Sequence, residues 1–145
     1  MKSLMLFALI LGLSCTSCGE DDAIPRLACG PDIKIVDVIV DPTGDDFQLL
    51  EARITDLCLQ VTIEATGCSS QGWRMELHTL GEVAESQPTQ TSARLIFDDG
   101  VPAGDFTCQA QIVETYTFDL SPYLTPQTLP TRFSLDGSDA PLDIE

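Results

Sequence analysis

From Leu57 to His78 the chain reads LCLQVTIEATGCSSQGWRMELH, and no other stretch limits the possible folds as tightly. Leu57, Leu59, Val61 and Ile63 alternate with Cys58, Gln60, Thr62 and Glu64, which is the period of two expected of a strand with one buried face. After Gly67-Cys68 and a short polar turn, Trp73, Met75 and Leu77 alternate in the same way with Arg74, Glu76 and His78. Two such strands set back to back leave their apolar faces uncovered, so further strands have to lie over them.

The flanking sequence supplies those strands. Ile33 to Val40, IKIVDVIV, is an apolar run broken only by Lys34 and Asp37 and reads as a largely buried strand, followed by a turn at Asp41-Pro42-Thr43-Gly44-Asp45. Phe47 to Asp56 reads as a strand because it is short and bounded by turns. Gly81 to Thr91 is a polar connection in which Pro88 forbids a central strand. Ser92 to Phe97 follows as a strand, Asp98 to Asp105 as a hairpin loop, and Thr107 to Phe118 as a strand with Cys108, Ala110 and Ile112 on its core side. Asp119 to Leu124 has the form of one helical turn, with Ser121 as its cap and Pro122 in the first position. Arg132 to Leu135 is a last strand with Phe133 and Leu135 inward, and the acidic tail from Asp136 to Glu145 is expected to fray. About seven short strands with such punctuation, and no long helix or repeat, predict an all-β, immunoglobulin-like antiparallel sandwich.

The N-terminus carries a different message. MKSLMLFALILGLSCTSC has one basic residue, an apolar run from Leu4 to Leu13 too short to span a bilayer, and small residues before a cysteine. It resembles the bacterial lipoprotein signal, which implies cleavage after residue 17, acylation of Cys18 and an anchor in the outer membrane. Cys15 is the alternative acylation site, with Gly12 where that signal usually has Leu. Gly19-Glu20-Asp21-Asp22 is similar to the export signal of Bacteroides-type surface lipoproteins, and read as structure alone it is a solvated linker. The periplasmic and the cell-surface face both remain open. Residues 18–31 then form a lipidated tether and residues 32–145 a single domain.

Loss of residues 1–17 removes Lys2 and leaves six basic against 23 acidic residues, a net charge of −17. That excess excludes nucleic acid as a partner and disfavours anionic lipid headgroups. Apart from the two lipid candidates the cysteines are Cys29, Cys58, Cys68 and Cys108, an even number in an exported domain, which reads as two disulfides with three possible connectivities. The pairing expected here is Cys68–Cys108 with Cys29–Cys58. No CxxC spacing occurs among these four, and one His is too few for the common zinc patterns.

Gly67-Cys68, Glu85-Ser86-Gln87-Pro88-Thr89-Gln90, Cys108-Gln109-Ala110 and Phe118-Asp119-Leu120-Ser121-Pro122 together resemble a family of small Bacteroides-type lipoproteins of unassigned function. The resemblance runs from Leu57 to Leu124. It departs at the turn before the cysteine, which is longer and richer in Gly in the family and often followed there by a His. The resemblance implies location and a β fold, and no catalytic residue. Asp105-Phe106-Thr107-Cys108 is also similar to the approach to the second cysteine of immunoglobulin domains, and Trp73 follows Cys68 as the core Trp follows the first cysteine there. Trp73 lies five positions after Cys68, a much shorter spacing than in those domains, so the architecture alone carries over.

Candidate chemistry is sparse. His78 would need partners to act as a base or ligand, and the strand alternation turns it to solvent. Asp98, Asp99 and Asp105 offer oxygen ligands of the kind calcium takes, joined by Asp45 and Asp46 if that turn lies at the same end of the sandwich. Ser69, Ser70 and Ser86 lie in no nucleophile elbow, and no Gly-rich phosphate loop is present. Trp73, Tyr116 and Tyr123 are the candidates for a stacking platform. The expected protein is therefore a non-enzymatic binding or interaction module, without a cofactor, that meets an envelope protein or glycan. The alternatives are an assembly subunit associating through a strand edge and, third, a small hydrolase.

Overall fold

A computed structural model describes residues 29–39, 44–102, 104–106 and 108–145. The expected signal, Cys15, Cys18 and the part of the expected tether before residue 29 lie outside the described residues. Among the described residues nine strands are present: β1 (Lys34–Ile35), β2 (Gln48–Thr55), β3 (Cys58–Gly67), β4 (Arg74–Thr79), β5 (Val83–Ala84), β6 (Thr89–Asp98), β7 (Ala110–Asp119), β8 (Thr131–Leu135) and β9 (Leu142–Ile144). They form two sheets, one in the order β2-β3-β7 and the other in the order β1-β4-β6-β8-β9 with β5 paired to β6. The two pack into a β-sandwich around one apolar core. Two pairings, β1 with β4 and β6 with β8, are parallel, so the expected sandwich is realised with a mixed sheet.

β3 is the middle of the smaller sheet. Leu59, Val61, Ile63 and Ala65 all point into the core, and the first three are wholly inaccessible. Facing them are Met75 and Leu77 of β4, Ala93, Leu95 and Phe97 of β6, and Phe133 and Leu135 of β8. The expected alternation of residues 57–78 is therefore correct, but its two halves belong to opposite sheets. Residues 68–73 cross the sandwich, and the turn ends with Trp73 edge-on to Phe97 at 5.1 Å. The expected hairpin loop from Asp98 to Asp105 is likewise not one, since β6 and β7 lie in different sheets.

Several expectations are corrected by packing. Of the run 33–39 only Ile33 is buried, and Ile35 and Val38 are exposed, because the segment is an arm between the sheets rather than a core strand. Asp32 bridges to Asp119 at the end of β7, and Lys34 and Ile35 pair with His78 and Thr79 of β4, so the arm closes one side of the sandwich. β2 matches the expected strand, and a bulge between Leu49 and Glu51 explains its imperfect alternation: Leu49, Ala52 and Ile54 pack on the core while Leu50 is exposed. The turn at 120–124 has its single i→i−4 bond from Leu124 N to Leu120 O, but the capping oxygen is that of Asp119, which accepts from Ser121 N at 2.8 Å. The tail does not fray, since β9 pairs with β8 and buries Ile144.

Polar groups taken into the core are bonded. Thr79, Thr91 and Thr131 donate their hydroxyls to the carbonyls of Ser92, Glu82 and Thr89 at 2.8, 3.0 and 3.2 Å, which offsets their desolvation.

Candidate functional site

The parallel pairing of β6 with β8 brings the starts of both strands to the same end of the larger sheet, with Thr89 opposite Thr131. Each strand is preceded by a proline, Pro88 and Pro130, in a cis peptide bond, at the place where a residue without an N–H does not break the ladder. The segments ahead of the two strands stand apart and leave an open groove of about 640 Å³, whose third wall is Asp143 to Glu145 at the end of β9. Its rims are held by local bonds. Ser86 Oγ donates to Pro88 O at 2.7 Å and accepts from Gln90 Nε2 at 3.1 Å, and Thr89 Oγ1 donates to Thr128 O at 2.6 Å. Arg132 Nε pairs with Asp143 Oδ1 at 3.2 Å across the strand pair. Leu129 and Ile144 supply apolar surface, and the amides of the exposed Gln87 and Gln127 supply donors and acceptors. Of these residues the sequence singled out only Ser86 to Thr89, as part of a resemblance motif and not as a site. The signal that points to them is the proline immediately before each of two strands.

The other end of β6, about 30 Å away at ~3.3 Å per residue, holds the acidic loops. Asp45, Asp98 and Asp99 converge, with ligand oxygens all within 4.8 Å of one another, while Asp105 and Asp46 are not part of the group. Gly44 makes this possible, because a Cβ there would lie 2.8 Å from Phe97 O, and the adjacent Asp45 N donates to that same carbonyl at 2.8 Å. Asp45 accepts from Asp99 N at 2.8 Å, Asp98 from Gly100 N at 2.8 Å and Asp99 from Val101 N at 2.7 Å. Arg74 stands 3.9 Å from Asp98. These bonds explain the cluster as a set of loop-closing turns.

The remaining candidates separate. Cys68 and Cys108 are joined by a disulfide, as expected, but both are exposed and lie beyond the last pair of β3 and β7, Gly67 with Ala110, so Cys108 is not on a core side. The bridge therefore joins neighbouring strands of one sheet. Cys29 and Cys58 carry free thiols, and Cys58 Sγ lies 3.8 Å from Cys29 O. Burial, then the Cys58 thiol beside it, then Asp119 push the Cys29 thiol up to about 12. His78 faces outward and bonds Glu76 at 2.8 Å, and Glu76 also pairs with Lys34 on the outer face of the larger sheet. Trp73 and Tyr123 are core residues, the latter donating to Glu82 O at 2.8 Å, and Tyr116 packs half-buried against the core, so the three make no platform.

The chain matches no protein-family model, no curated protein and no solved structure.

Proposed function

We propose that the chain is a lipid-anchored binding module of the outer membrane, akin to the small Bacteroides-type lipoproteins it resembles, and that it holds a segment of an envelope protein in the groove ahead of β6 and β8. The groove carries this reading: it is preformed by bonds within its own rims and presents amides beside aliphatic surface. Such a surface suits an extended peptide, whose backbone needs donors and acceptors and whose side chains need apolar contact. A glycan is less well served, because none of the groove's lining residues is aromatic.

A second reading has one specific observation in its favour. β7 is ten residues long and pairs regularly with β3 along one side, while among the described residues its other side meets only the N-terminal arm, residues 30–33, at the far end. Such an edge accepts a strand from another chain. Against it stands Glu114, which lies opposite the buried Ile63 and so faces the inner side of this edge, where an added strand would bury it.

Native protein purified from its own membranes in mild detergent, with co-purifying proteins identified by mass spectrometry, tests both. A stoichiometric envelope protein lost from a Gln87→Lys, Gln127→Lys variant supports the groove. A partner retained by that variant, or a single band that self-associates with concentration, overturns it, the latter in favour of the edge.

A further inference from the structure

β3 begins with Cys58 and is followed directly by Cys68, so a cysteine stands at each end of the central strand of the smaller sheet. At the far end the cross-link is made, Cys68 to Cys108. At the near end Cys58 meets Cys29, which comes from the N-terminal arm, 29 residues earlier in the chain. Cys58 Sγ donates to the backbone carbonyl of Cys29 at 3.8 Å, and both cysteines are only partly buried, so a reagent in solvent reaches them.

The contact is built by the arm. Gly30 runs so close to β7 that a Cβ on it would lie 2.1 Å from Thr117 O, and its φ of 149° is one that other residues rarely adopt. Beyond Gly30 the arm is stitched to the end of β7 by Asp119 N to Pro31 O at 3.0 Å and Ile33 N to Asp119 O at 2.9 Å. Asp119 is in turn the partner of Cys58 across the β3–β7 ladder. The glycine and the two backbone bonds thus hold Cys29 over the start of β3.

We infer that Cys29 and Cys58 are an oxidisable dithiol that closes to a second disulfide and locks the N-terminal arm onto β3. The oxidant is a disulfide, either a small one such as glutathione disulfide or that of a thiol–disulfide oxidoreductase. One cysteine thiolate attacks a sulfur of that disulfide, forming a mixed disulfide and expelling the first thiolate of the oxidant. The second cysteine thiolate then displaces the other. Two S–H bonds are lost and one S–S bond is formed in the protein, the S–S bond of the oxidant is broken, and the two protons pass to its expelled thiolates, so that the oxidant is reduced to two thiols. The thiolate is the attacking form, and whichever cysteine enters the mixed disulfide has the other beside it for the second displacement.

Full-length protein is equilibrated in glutathione buffers of rising glutathione disulfide content, quenched with acid, alkylated under denaturing conditions and mapped as peptides without reduction. The expected result is the loss of two alkylatable thiols and the appearance of a Cys29–Cys58 linked peptide, both reversed by excess reduced glutathione. In a Cys29→Ser variant Cys58 is expected to stop as a glutathione adduct, with the Cys68–Cys108 peptide serving as the marker that the chain is folded. The inference is overturned if Cys29 and Cys58 both remain alkylatable in glutathione disulfide, if each takes a separate glutathione, or if either is found linked to a different cysteine.

Discussion

Two residues show how much a single position contributes. Leu57 has a positive φ of 64°, next to Asp56 at 50°, and the pair forms the two-residue turn between β2 and β3. That conformation favours Asn and Gly, and an L side chain adopts it at a penalty of about 1 kcal/mol. Leu57 is held there because it is buried and its carbonyl accepts from Leu120 N at 2.9 Å. Glu76 acts through charge. Its bonds to Lys34, then to His78, hold its carboxyl below the ordinary range. A depressed native pKa stabilises the fold above the unfolded value of about 4.3, and that contribution is lost as the pH falls through the native value. The group is well exposed, so Glu76→Gln is expected to lower stability by only about 0.5 kcal/mol at pH 7. In urea unfolding at a series of pH values the difference from the unsubstituted chain should vanish near pH 3. A difference that persists or grows there would mean that Glu76 acts by packing.

At the level of elements, β3 organises the smaller sheet because it is paired with β7 along its whole length and with β2 from Cys58 to Glu64. The Cys68–Cys108 bridge prolongs its ladder with β7 by one covalent rung, and closing that loop removes conformational freedom from the unfolded chain. Replacing both cysteines by Ser should reduce unfolding free energy by roughly 3–4 kcal/mol, read from chemical denaturation. Hydrogen exchange should quicken first at Thr66, Gly67 and Gln111, next to the missing bridge. A loss below about 1 kcal/mol would show that the exposed ends of β3 and β7 keep their register unaided. The arm is the opposite case, since β1 is two residues long and stays in place through Ile33 in the core and pairing to both sheets.

Over the whole molecule the charge is far from balanced, with a net −16 for the full sequence. Lys34, Arg74, Arg94 and Arg132 each pair with a nearby carboxylate on the outside of the larger sheet, so the surplus acids repel one another across the remaining surface. Self-repulsion of this kind weakens the compact state and is screened by salt. The thermal midpoint should therefore rise as sodium chloride is raised from ~10 to ~200 mM, over which the screening length falls from about 30 Å to below 10 Å. A flat or falling midpoint would show that the ion pairs on the larger sheet outweigh the repulsion. The strand patterns of 58–67 and 74–79 were legible because alternation is a local property that burial of one face imposes directly. The fate of 33–40 and of the tail was not, since IKIVDVIV is as apolar as a core strand and LDI as short as a frayed end. Only the available neighbours, β4 and β7 for the arm and β8 for the tail, decide between those outcomes.

By itself the sequence determined that this chain forms a β-sandwich and that Phe133 and Leu135 point inward, because periodicity is written along the chain, whereas cysteine parity left three pairings open and the structure joins Cys68 to Cys108. Tertiary structure alone decided that the two alternating strands lie in opposite sheets, that β6 and β8 run parallel and open a groove at their starts, and that Asp45 meets Asp98 and Asp99. Those are relations between segments far apart in sequence. They follow from which apolar faces cover one another, and no local pattern records that choice.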